Sequence, residues 1–260
     1  MGTARAGLCR LCKQHAKLVQ AHLIPDSFYA QISDDNRRLL RVVTGRRGDT
    51  RIVQTGEFDR ELICLQCEQS FSKCDAEAAR VLLASHPQFT EVAATKVVVS
   101  DFDCDLMKRF ALGTVWRIAL SSRPLGHLVD LPEQDKERLR KFLLRPSVQA
   151  PWYFGVLWWR FRPSVRWPSR SGSVMVLDPH LSQIDGHRFV RLNLGRYGAM
   201  IHLEERELPR PWSSGLMVPG RLAFTLRTFD RSPECRLLEE RFLWQAEPSP
   251  DRRDIEPLPG

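Results

Sequence analysis

An α+β architecture is predicted: a small cysteine-stapled finger at the N-terminus, then a larger domain of mixed helices and antiparallel sheet. Two observations carry this. Four of the seven cysteines fall into two Cys-x-x-Cys pairs, Cys9 with Cys12 and Cys64 with Cys67, and all four lie in the first third of the chain. Beyond residue 97, one strongly apolar and one amphipathic helical stretch precede a run of strand-like segments divided by Pro and Gly, the punctuation of an antiparallel sheet.

Each cysteine pair offers two thiolates to one side of a metal ion, and four thiolates complete the closed tetrahedral shell of structural zinc. The second pair opens a helical pattern, where the helix N-terminus favours thiolate charge. The alternatives are chance pairs or a redox couple. Between Cys12 and Cys64 lie 51 residues, too many for a compact ribbon, so the gap must fold as a hairpin of its own. Cys74, Cys104 and Cys235 remain over and read as small buried hydrophobes.

Within the first part (residues 1–96), residues 18–25 read as a short strand stopped by Pro25. Asp26 can cap a helical turn that places Phe28 and Ile32 on one face. Residues 37–43 and 51–54 read as strands around the Gly-bearing loop 44–49. From Cys67 a helix is expected, with Ala76, Ala79, Leu82 and Leu83 as its apolar stripe, ending at His86-Pro87.

The second part (residues 97–245) begins with a strand at 95–99 that straddles the boundary. A helix over 101–121 is apolar around so much of its circumference (Leu106, Met107, Phe110, Ala111, Trp116, Ile118) that it belongs inside a core. A second helix is expected over 132–144, with Asp130 near its cap, Pro132 in its first turn, a Glu137–Lys141 pair, and Leu139, Phe142 and Leu143 facing inward. Strands are expected at 173–177, 189–194, 199–203 and 221–228. The charged, Pro-rich residues 246–260 read as a disordered tail.

The chain carries 39 Lys/Arg against 31 Asp/Glu, a net charge of +8. A basic surplus favours polyanionic partners, nucleic acid above all. The charges are spread, with 14 against 11 in residues 1–100 and 25 against 20 beyond, so charge alone decides little. No apolar run is long enough to span a membrane. No secretory leader pattern precedes Cys9, which with the paired thiols suggests a cytoplasmic chain. From Trp152 to Arg170 aromatics and arginines interleave (Trp152, Tyr153, Phe154, Trp158, Trp159, Arg160, Phe161, Arg162, Arg166, Trp167, Arg170). Exposed, such a stretch would stack on bases and hold phosphates, but a core strand with arginines along one edge is the preferred reading. His86, His127, His180, His187 and His202 show no metal-ligand spacing, and no phosphate-binding glycine loop, nucleophile elbow or dinucleotide fingerprint is present.

One further stretch is specific. The order Cys9-Arg10-Leu11-Cys12, then Ala21-His22-Leu23-Ile24-Pro25, then Ile63-Cys64-Leu65-Gln66-Cys67-Glu68 resembles a group of bacterial proteins related to the HNH (ββα-metal) nucleases. Those proteins carry Cys-x-x-Cys, Ser-His-Ile-Ile-Pro and Leu-Cys-x-x-Cys-Glu before a helix. The likeness covers residues 9 to about 85. It implies a treble-clef finger: a zinc knuckle, a long hairpin and a second knuckle that opens a helix. It further implies endonuclease chemistry on DNA, with His22 as the general base that activates water. Glu68, and Asp75 two helical turns on, would be oxygen ligands to Mg²⁺ or Mn²⁺ at the scissile phosphate. Ala21 stands where the family carries an acid, and Glu68 where its usual motif has Asn. The alternative from another class is a catalytically inert zinc-binding module that docks nucleic acid or a protein partner. In it His22 packs the hairpin and Glu68 only complements the helix dipole.

Overall fold

The computed structural model describes residues 6–30, 39–42, 50–53, 56–83, 89–123, 129–144, 153–162, 176–210 and 212–236. Several expected features lie outside them: Ile32, the 44–49 loop, His86-Pro87, His127, Trp152, Arg166, Trp167, Arg170 and the 246–260 tail.

Strands β1 (Ala6–Leu8) and β2 (His15–Lys17) form an antiparallel hairpin whose turn carries the first cysteine pair. Strand β3 (Ala21–His22) leads to helix α1 (Asp26–Ala30), and an antiparallel ribbon of β4 (Leu39–Val42) and β5 (Thr50–Val53) follows. The expected strand at 18–25 shrinks to these two paired residues plus a lone bridge from Leu18 to Cys64, because Leu23 and Ile24 turn into the core at once. Strand β6 (Phe58–Asp59) pairs with β3, and helix α2 (Leu65–Leu83) starts between the two cysteines of the second pair. The buried side of α2 is Cys67, Phe71, Cys74, Ala78, Val81 and Leu82. This stripe sits beside the expected one, because the larger Phe71 claims the core and Ala76 faces outward.

Strands β7 (Thr90–Ala93) and β8 (Lys96–Val99) form a hairpin, so residue 96 falls inside a paired unit. Helix α3 (Cys104–Leu120) is capped by Asp103, whose carboxylate accepts the Leu106 N–H at 3.0 Å. It is buried continuously from Phe110 to Ala119, as its all-round apolarity requires. At Gly113 an added Cβ would lie 2.6 Å from the Phe71 ring, so this glycine is what lets α2 and α3 approach so closely. Helix α4 (Glu133–Leu144) buries Leu139, Phe142 and Leu143 as expected. Glu137 pairs with Arg140 at 2.7 Å.

The rest is sheet. Strands β9 (Val156–Arg162), β10 (Val176–Ile184), β11 (His187–Leu194), β12 (Tyr197–His202) and β13 (Leu222–Thr228) join β7 and β8 in seven strands ordered β10-β11-β12-β9-β13-β8-β7. Every pairing is antiparallel except β13 on β9. Successive side chains of β9 go to opposite faces. Trp158 enters the helix-covered core and stacks on Phe110 at 6.4 Å, while Trp159 and Phe161 enter a second cluster with Phe189, Met200 and Phe229. Phe154, Trp158, Trp159 and Phe161 of the aromatic-arginine stretch are therefore core, while Arg162 is exposed and Arg160 lies over the Phe89 and Tyr197 rings.

The finger is joined to this body. The larger buried cluster runs unbroken from Cys9 to Phe224, and Phe28 of α1 stacks on Phe110 of α3 at 5.4 Å. Buried Asp59 accepts Ser121 Oγ at 2.7 Å, and Arg140 Nη1 donates to the Leu11 carbonyl at 2.8 Å. No helix among the described residues is long and apolar enough to cross a membrane.

Candidate metal centre and the histidine ribbon

The first cysteine pair sits in a tight turn. Cys9 N–H donates to the Gln14 carbonyl and Lys13 N–H to the Cys9 carbonyl, both at 2.9 Å, and Lys13 takes a left-handed φ of 61° to close it. This turn is laced to the segment before α2: Arg10 N–H donates to Leu62 O at 2.8 Å, and Val19 N–H to Ile63 O at 3.0 Å. The second pair is placed by the helix itself, with Cys64 supplying the carbonyl that accepts the Glu68 N–H at 3.0 Å.

The four sulfurs converge. Cys9 Sγ lies 3.7 Å from Cys67 Sγ and Cys12 Sγ lies 3.9 Å from Cys64 Sγ, and all four are within 4.8 Å of one another. Disulfides need sulfurs about 2.05 Å apart, and all seven cysteines are free. A tetrahedral shell with bonds of about 2.3 Å, the zinc–thiolate value, has sulfur–sulfur edges of about 3.8 Å, between the two distances found. Cys9, Cys12, Cys64 and Cys67 can thus hold a metal ion in a closed shell. Electrostatics agree. Burial pushes the Cys9 thiol up, but the backbone N–H groups of Cys12, Cys64 and Leu11 bring it down to about 7. Burial pushes Cys12 and Cys67 up, and in Cys67 the neighbouring sulfurs add to the rise. Four thiolates this close repel one another, and a dication is what would allow them to coexist.

His22 lies on β3, half-buried, directly opposite Phe58. Their rings meet edge to face at 6.2 Å, and the Arg60 guanidinium sits over the Phe58 ring at 5.2 Å while reaching Gln20 Oε1 at 3.3 Å. Cross-strand partners share a face, so Ala21 and Asp59 occupy the other, buried side of the ribbon. There Asp59 is committed to Ser121 Oγ and to the Glu61 N–H.

Glu68 and Asp75 lie on α2, both facing the buried guanidinium of Arg117 on α3. Asp75 holds it with both oxygens, at 3.2 and 3.3 Å, and Arg117 is also stacked over Phe71 at 4.9 Å. Burial raises the Glu68 carboxyl, eased by the charge of Arg117 and reinforced by Asp75, and Glu68 Oε2 is buried with no hydrogen-bond partner. Among the described residues two groups of side chains converge closely enough to share a cation, and His22, Glu68 and Asp75 belong to neither.

The first group is the four cysteines. The second, His187 with His202 and Glu204, shows no ligand spacing in the sequence because the histidines stand 15 positions apart. The signal was there in another form. A tight turn at 195–196 pairs Phe189 with His202, so a histidine opening one strand and a histidine ending the next meet at the same end of the hairpin.

No family model, curated protein or solved structure matches this chain.

Proposed function

We propose that the chain is a zinc-stapled finger protein of HNH type, with a treble-clef N-terminal part, that binds nucleic acid and does not hydrolyse it. The observation that carries the proposal is the composition of the outward side of the β3–β6 ribbon. Gln20, His22, Phe58 and Arg60 gather there, a cation stacked on a ring beside an imidazole, with no carboxylate among them. Aromatic rings that accept bases and guanidinium groups that neutralise phosphates are the parts of a sequence-tolerant nucleic-acid surface. The neighbouring knuckle adds exposed Arg10, Lys13 and Lys17, and no acid occurs from residue 6 to residue 25. Hydrolysis needs in addition a dication on the scissile phosphate, and Asp75, one of its expected ligands, is engaged by Arg117.

A second reading, the divalent-metal endonuclease with His22 as base, is favoured by one observation: Glu68 keeps a buried oxygen without a partner. One experiment separates the two. Purified protein is mixed with a labelled DNA duplex at low and moderate salt, and in parallel with supercoiled plasmid in Mg²⁺ or Mn²⁺, beside Arg60→Ala and His22→Ala. Salt-dependent binding weakened by Arg60→Ala, with intact plasmid, is the expected result. Nicking that His22→Ala abolishes would restore the nuclease, and absence of any binding would overturn the proposal.

A further inference from the structure

We propose a second metal site, independent of the finger, at the end of the β11–β12 hairpin: His187 Nδ1, His202 Nε2 and Glu204 Oε2 bind one transition-metal dication. The three atoms are separated by 3.1 Å (His187 to His202), 3.7 Å (His187 to Glu204) and 3.8 Å (His202 to Glu204). A triangle with those sides has its centre about 2.1 Å from every corner, the length of a zinc–imidazole or zinc–carboxylate bond. Only the 3.1 Å nitrogen pair is within hydrogen-bond distance, and the carboxylate oxygen stands off both rings at a spacing that a shared cation would fill.

The surroundings fix the donors. Both imidazoles are buried, His202 completely, and Phe189 packs against the two rings at 6.5 and 5.3 Å, itself covered by Trp212 at 5.9 Å. The Trp212 indole donates to Asp185 at 3.2 Å, which anchors this wall to the β10–β11 turn. Glu204 is aimed from outside: Arg188 N–H donates to its Oε1 at 3.2 Å, and Arg206 binds Oε2. A carboxylate oxygen has two lone pairs, so Oε2 can keep the Arg206 bond and still face the histidines. Glu204 is the most exposed of the three, and access is from its side.

Donor chemistry names the class of ion. Two imidazoles with one carboxylate suit Zn²⁺, Ni²⁺, Cu²⁺ or Co²⁺ and do not suit Mg²⁺ or Ca²⁺, which need more oxygens. Three protein donors leave one tetrahedral position for water or another small ligand, unlike the closed four-cysteine shell.

Titration of the full chain with Co²⁺ tests this. A cobalt–thiolate site gives strong charge-transfer absorption in the near ultraviolet, whereas a nitrogen–oxygen site gives only weak visible bands. We expect one equivalent of Co²⁺ to bind without thiolate absorption. That binding should weaken at least about a hundredfold in E204Q and H187Q, at or beyond the upper end of the losses typical for groups behind the ligands. E204Q keeps the side-chain shape at a partly exposed position, and its circular dichroism reports the fold. If wild type takes up no such equivalent, or if folded E204Q and H187Q bind it as wild type does, the site does not exist and the cluster is a hydrogen-bonded one.

Discussion

The finger and the seven-stranded sheet are held by different forces, although one buried cluster runs through both. In the finger, β1 and β2 have three residues each and β3 and β6 two. Ribbons that short do not stand alone in water. On the zinc reading proposed above, what fixes them is one ion held by four thiolates, together with the cross-links between the knuckle and the segment before α2. The sheet has strands of up to nine residues and apolar clusters on both faces, so its stability is distributed over packing. On that reading one region is released by loss of its ion, whereas the other can only be eroded contact by contact.

The largest expected effect follows directly. Binding of a structural Zn²⁺ contributes about 10–16 kcal/mol in zinc fingers, so Cys64→Ser or a strong chelator should open the finger first. Hydrogen exchange followed by mass spectrometry should then show fast exchange at 6–30 and 56–64 while β9, β11 and β12 stay protected. Simultaneous loss of protection in both would mean that the sheet depends on the finger.

Next comes the contact between them. Asp75→Ala leaves the Arg117 guanidinium, with no exposed side-chain surface, without its ion partner, a loss of about 3–5 kcal/mol visible in urea denaturation. The Asp75→Ala, Arg117→Met pair should recover most of that, because an apolar side chain of similar length removes the stranded charge. In the sheet, Gly198 lies under Trp159, and a Cβ there would come within 2.0 Å of the indole. Gly198→Val should cost about 1–3 kcal/mol, seen as a lower Tm with the finger unaffected. Smallest is Asp103→Ala, which removes the α3 cap and about 1 kcal/mol.

What the sequence disclosed divides along the same line. The cysteine pairs were legible because ligand spacing is local: three residues put two thiols on one turn. Helix α3 was legible because apolarity on every side has one explanation, burial among other elements, and α4 because its apolar face is regular. Pairings between distant segments were not. Asp75 reads as a candidate metal ligand until α3 brings Arg117 beside it, 42 residues away. Likewise the His187–His202–Glu204 cluster exists only through the register of β11 on β12. Strand β7, all of it exposed, lacks the alternation that marks a half-buried strand.

The placement of β13 governs the order in which a ribosome can deliver this protein. Among the described residues the sheet's last strand in chain order, β13, enters between β8, finished by residue 99, and β9, finished by residue 162. Until residue 228 has left the exit tunnel the sheet has no middle. It exists as a two-stranded piece and a four-stranded piece, each with a naked edge, and the edge at β9 carries two tryptophans. Vectorial synthesis therefore delivers both edges before the strand that joins them, and unpaired edges of that kind are where nascent chains meet wrong partners.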